Sequence, residues 1–98
     1  MPKIDLLSSA ESLEMAWRSQ VLCRVGGANF KVVRMDARAY PDECHEFDEA
    51  LLVLEGQMNL EIHNSVVAVR TGEVFVVPAG IPHAVAPGSW GTLVIIDQ

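Results

Sequence analysis

Turn signals recur roughly every eight to twelve residues along most of this chain, and the runs between them are too short for helices. From Gln20 onward the apolar runs are Val21 to Val25, Phe30 to Met35, Ala50 to Leu54, Met58 to His63, Val66 to Val69, Val74 to Val77 and Leu93 to Ile96. Gly26-Gly27, Glu55-Gly56, Asn64-Ser65, Thr71-Gly72 and Pro78 to Gly80 punctuate them. A Gly-Gly pair between β-rich runs favours a hairpin, because glycine adopts positive φ without steric cost. Met58, Leu60 and Ile62 alternate with Asn59, Glu61 and His63, the period of a half-buried strand. About seven short strands at this spacing predict an all-β sandwich or barrel, with Leu51, Val53, Phe75 and Val77 among its buried residues. Too few segments have helical length for a parallel α/β sheet.

One helix is expected, near the N-terminus. Ser8 and Glu11 have capping-box spacing, and Leu13, Ala16 and Trp17 then share a face. A helix over Ser8 to Trp17 is too short to stand alone, so it must brace the barrel, with Trp17 as its anchor.

Composition narrows the partners. The 98 residues carry a net charge of −6, and seven basic residues are scattered from Lys3 to Arg70. Phosphate binding needs clustered Lys and Arg, so nucleic acid is excluded as a partner. No apolar run approaches a membrane span, and the N-terminus lacks the pattern of a signal peptide. Half of the residues are apolar, which is high for so small a domain and suggests either that both faces of a sheet are buried or that a partner covers an apolar surface. Cys23 and Cys44 have no metal or redox spacing, and they read as reduced thiols of a cytoplasmic protein.

Two segments carry a resemblance to a known family. Glu49 and Gly56, with six residues between them, resemble the second half of the first cupin motif. Gly72, Pro78, Gly80 and His83 match the fixed positions of the second cupin motif as far as its histidine. The asparagine that usually follows four residues later is replaced by Pro87. The resemblance spans roughly residues 30 to 97 and implies a small jelly-roll (double-stranded β-helix) barrel with a short N-terminal helix. It implies one cupin domain over 1–98, with an N-terminal helix and hairpin in 1–37 and the core motifs in 38–98. Joined to the apolar surplus, it also implies a homodimer formed partly by the N-terminal segment and first hairpin, and in many members a metal held by two histidines and a glutamate of the first motif and the histidine of the second.

The first half of the first motif is broken. Between Tyr40 and Asp48 no H-x-H occurs, only His45. Counting back from Glu49, a three-residue gap puts Glu43 and His45 at the ligand positions, and a four-residue gap puts Asp42 and Cys44 there. Side chains alternate along a strand, so the two registers exclude each other. The first gives Glu43, His45, Glu49 and His83, a set suited to Fe, Mn or Zn. The second adds a thiolate and leans towards zinc. The Glu43/His45 register is the preferred one, because it gathers two imidazoles. In it Cys44 turns to the opposite face and packs there as a small apolar thiol. A third alternative is a site that has lost its metal altogether. His63, on the polar face of a strand, is expected in solvent.

The functional expectation is a small-molecule-binding barrel with one divalent transition metal or none. The alternative is a non-catalytic sensor or binding module with a metal-free apolar pocket. Family members include oxygenases, isomerases, decarboxylases and sugar-binding modules, so the fold does not select a reaction.

Overall fold

The computed structural model describes residues 3–98. One helix, α1 (Leu6–Glu11), precedes eight strands: β1 (Gln20–Val25), β2 (Ala28–Met35), β3 (Tyr40–Glu43), β4 (Glu49–Ile62), β5 (Ser65–Arg70), β6 (Val74–Val77), β7 (His83–Val85) and β8 (Trp90–Asp97). All pair antiparallel in one curled sheet of order β1-β2-β8-β4-β7-β3, with β5 and β6 also on β4.

β4 holds the two halves together. Its first half pairs with β6 and β8, and its second half with β5 and β7. The apolar runs at Ala50 and Met58, expected as two strands, are therefore one strand with an irregularity between Val53 and Glu55. Gly56 makes that continuity feasible. It has φ +95°, and a Cβ there would lie 2.0 Å from the Trp90 carbonyl oxygen. Its partner Gly91 has φ +100° and would meet the Glu55 carbonyl at the same distance. The glycine expected to end a strand instead lets two backbones touch where the sheet turns. Thr71 Oγ1 accepts from the Gly56 amide at 3.0 Å and donates to its carbonyl at 3.1 Å, so both backbone groups of Gly56 are paired.

The core forms between the halves. Val33, Met35, Leu51, Val53 and Leu93 pack with Met58, Leu60, Ile62, Val69, Val77 and Val85. Phe75, expected among the buried residues, is only half-buried against this cluster, while Leu51, Val53 and Val77 are buried. The period-two pattern is strongest along β4, which alternates buried and less buried positions through most of its length.

The helix differs from expectation. It is capped by Asp5, whose Oδ1 accepts from the Ser8 amide at 3.0 Å, and it stops at Glu11. Ser8 is thus inside the first turn rather than at the cap. Trp17 lies beyond the helix with φ +66°, an unusual conformation for a bulky residue. Three contacts impose it: its amide donates to the Arg34 carbonyl at 2.9 Å, its indole N–H to Asp36 Oδ1 at 2.9 Å, and its ring lies 5.4 Å from that of Tyr40. Tertiary contacts override the local helical pattern there. β3 covers part of the segment whose strand alternation separates the two registers, while β7 falls outside the expected strands. β3 contains Pro41, tolerated because β3 is an edge, and β7 has only three residues.

His63 is exposed, with φ +52°, and together with Asn64 at +60° makes the β4–β5 turn. Both cysteines are free.

Candidate metal centre

Glu49, His83, Ser89, Thr92 and Asp97 are the buried polar residues among those described. Glu49, His83 and Asp97 line the same cavity, of about 150 Å³. Burying ionisable groups is unfavourable unless they have partners, so their surroundings decide what the cavity can do.

Glu49 opens β4 opposite Val77 of β6. His83 opens β7 and is paired on both sides, with Ile62 of β4 and Glu43 of β3. Pro78 and Gly80 end β6 and return the chain, and the Gly80 amide donates to the His45 carbonyl at 2.7 Å. This bond ties the loop carrying His45 to the turn that delivers His83. His45 lies two residues past the end of β3, its ring stacked on Phe47 with centroids 5.0 Å apart and planes at 8°.

Glu43, His45, Glu49 and His83 converge, each offering one donor atom, with all four atoms within 4.8 Å of one another. His83 Nε2 is 3.1 Å from Glu49 Oε1 and 4.0 Å from Glu43 Oε2. His45 Nε2 is 3.5 Å from Glu43 Oε2 and 3.6 Å from Glu49 Oε2. Asp42 and Cys44 are exposed and stand outside this group. Cys44 does turn away from the cavity, but into solvent rather than onto an apolar face. Pro87, the departure from the second motif, lies in the β7–β8 turn, where its carbonyl accepts from Asn59 Nδ2 at 3.1 Å.

One hydrogen bond fixes the chemistry of His83. Its Nδ1 is 3.1 Å from the Ile81 carbonyl, which can only accept, so Nδ1 carries a proton. A neutral ring then points a bare Nε2 at the Glu49 carboxylate. Two acceptors face each other, and a proton or a cation must lie between them. Two imidazoles and two carboxylates around one point suit a divalent transition metal. The Ile81 carbonyl orients the ring as outer partners of metal-bound histidines do.

Tyr40 and Trp17 form an aromatic side of the cavity. Partial burial first, and then the charges of Glu43 and Glu49, raise the Tyr40 phenol above its ordinary value of 10.0, so it stays protonated at neutral pH. Phe47, Leu51, Met58 and Leu93 supply apolar wall.

A family model described as a cupin domain matches residues 32–97, two thirds of the chain. The chain belongs to the cupin family. Solved structures agree on the fold. A cupin-2 domain containing protein from Shewanella frigidimarina is 22% identical, with TM-score 0.84, covering 95% of this chain and 91% of its own. A protein from Neisseria meningitidis is 24% identical, with TM-score 0.84 and 99% coverage of both chains. A protein described as a putative mannose-6-phosphate isomerase, from Ralstonia eutropha, is 23% identical, with TM-score 0.78, covering 98% of this chain and 97% of its own. At these identities the likeness shows the small jelly-roll fold and no activity. No curated protein matches the chain in sequence.

Tyr40, Phe47, Lys31 and Asp97 also line this cupin's cavity, and sequence reading did not single them out. For two of them a signal existed. Lys31 precedes Val33 by two residues and Asp97 follows Leu93 by four, so strand alternation puts each on the face of a buried neighbour.

Proposed function

We propose that this cupin binds a small molecule in its barrel at one divalent transition metal, Fe, Mn or Zn, held by Glu43, His45, Glu49 and His83. The convergence of these four donors within 4.8 Å carries the reading. When bound, such an ion polarises a ligand oxygen or engages dioxygen. The protein's own part is to orient His83 through Ile81, to keep Glu49 out of water, and to shield the ligand behind Trp17 and Tyr40. Metal analysis of the purified protein, repeated after incubation with Mn(II), Fe(II) and Zn(II), tests it. About one ion per chain is expected, and none after reconstitution rejects the reading.

A metal-free binding module has its own observation. Glu49 Oε1 and His83 Nε2 are at direct hydrogen-bond distance, 3.1 Å, and a shared proton satisfies both without an ion. In that case chelators leave thermal stability unchanged. The sugar-phosphate activity in the name of the Ralstonia protein has little support here, because a cavity of about 150 Å³ is small for a hexose phosphate.

The proposed assembly is a homodimer built partly from the N-terminal segment and the first hairpin. β1 is a free sheet edge, and its Val21 and Val25 are 50% and 68% exposed. Unpaired edges with apolar side chains invite pairing or cover. Light scattering at high micromolar concentration should return twice the chain mass, and a monomer mass there refutes the dimer. Among the described residues no helix is long and apolar enough to cross a membrane.

A further inference from the structure

The same cavity contains an ion pair that the donor cluster does not use. Lys31 Nζ on β2 lies 2.7 Å from Asp97 Oδ2 on β8, with the side chains 23% and 3% exposed. Asp97 Oδ1 accepts from Asn29 Nδ2 at 3.3 Å. Lysine heads ordinarily reach out to water. This one is held in the wall of the barrel by a buried carboxylate, and both residues line the cavity. Ile96 pairs with Ala50, which brings Asp97 and Glu49 to the next position of the β8–β4 ladder. The ammonium is therefore close to the metal-binding end. The attraction within a withdrawn ion pair often does no more than offset the hydration it gives up, so such a pair is weak evidence of a purely stabilising role. An ammonium has three donors, and among the described residues only Asp97 accepts from it.

We propose that Lys31 anchors the ligand and that the cavity takes a small apolar-bodied carboxylate. Its oxygen-rich head lies between the Lys31 ammonium and the donor cluster, and its tail rests against Val33, Leu51, Met58 and Leu93. This rests on the metal reading above, and it adds the chemical class of the ligand. Size supports it, because a cavity of about 150 Å³ admits a body like benzene, roughly six to eight non-hydrogen atoms. Charge sets a limit. With a divalent ion in place, Lys31 and the ion balance Glu43, Glu49 and Asp97, so the site tolerates a monoanion better than a polyanion.

Calorimetry with Mn(II) alone, and then with 3-methyl-2-oxobutyrate, tests the assignment on wild type and on Lys31→Met. Removing the ammonium alone strands the Asp97 charge, so Lys31→Met/Asp97→Asn is measured beside it. Wild type loaded with Mn(II) is expected to bind the oxo acid saturably, and 3-methyl-2-butanone, which lacks the carboxylate, at least tenfold more weakly. The Lys31 variants should still take up Mn(II) while losing at least tenfold in affinity for the acid. Equal affinity in the folded double variant, or no saturable binding to wild type, overturns the proposal. If wild type takes up no metal, the donor-cluster reading fails separately. Binding of the acid to metal-free protein that depends on Lys31 then still supports the anchor, and its absence still overturns it.

Discussion

The two halves of the donor cluster are built differently. Glu49 and His83 lie in strands, paired by backbone to their neighbours, and are 5% and 6% exposed. His45 lies in a loop, held by one backbone bond from Gly80 and by a stacked phenyl ring. Glu43 ends the edge strand β3, and both of these side chains are part-exposed, at 35% and 28%. The ladder sets the position of one half, while the other half depends on a short loop and its contacts. Side chains on strands are placed more precisely than those on loops, so loss of the strand pair should cost more.

The largest effect is therefore expected at the strand pair. His83→Ala or Glu49→Ala should abolish measurable binding of Mn(II) or Zn(II), a loss beyond about a hundredfold, since even outer partners of metal ligands account for up to that much. Each variant also leaves the other buried group without its partner, which costs about 1–3 kcal/mol of stability. Calorimetric titration and thermal melts read the two effects apart. Metal binding that survives both substitutions places the ion elsewhere.

The loop pair separates the two registers. His45→Ala should weaken metal binding by about tenfold to a hundredfold, while Cys44→Ser, in solvent, leaves it within about twofold. The reverse order of effects makes the thiolate a ligand and requires a different conformation of residues 44–48. The loop has few constraints, so this is the part of the site where such a rearrangement is cheapest.

The same division runs through what the sequence discloses. The second motif and the Glu49–Gly56 spacing are legible because backbone demands them. Gly56 must accommodate the Trp90 carbonyl, and Pro78 and Gly80 must return the chain to His83. The strands follow from alternation, most clearly along β4. Alternation reduces the register of the broken motif to two alternatives, because it determines which residues share a face but not which face turns inward, and only coordination chemistry favours Glu43 and His45. Local periodicity puts Trp17 in a helix, whereas its backbone is set by Arg34, Asp36 and Tyr40, all distant in sequence. Tyr40 and Phe47 sit beside the motif with no pattern of their own. Their role depends on the path of the loop, which no local period encodes.

The smallest effect concerns the anchor of the aromatic wall above the loop half. The Asp36 carboxyl takes a side-chain bond from Arg38, a backbone bond from Arg38 and one from the Trp17 indole, which lower it from 3.8 to about 2. A folded value below the unfolded one means that its contribution to stability is whole above about 3.8 and is lost as pH falls through about 2. Trp17 should therefore keep its environment from neutral pH well into the acid range, then loosen as pH falls through about 2 and the carboxylate takes its proton. Fluorescence in a Trp90→Phe background isolates Trp17, because Trp90 is 58% exposed and would dominate any solvent response. Its emission should shift to longer wavelength only in the acid limb. Asp36→Asn retains an acceptor for the indole but has nothing to titrate, so the acid transition should disappear in that variant. A shift that begins near neutral pH, or one that persists in Asp36→Asn, assigns the motion of Trp17 to another group. Because the anchor lies outside the donor cluster, Mn(II) binding at neutral pH should be the same in Asp36→Asn as in wild type, leaving the strand pair and the loop pair undisturbed.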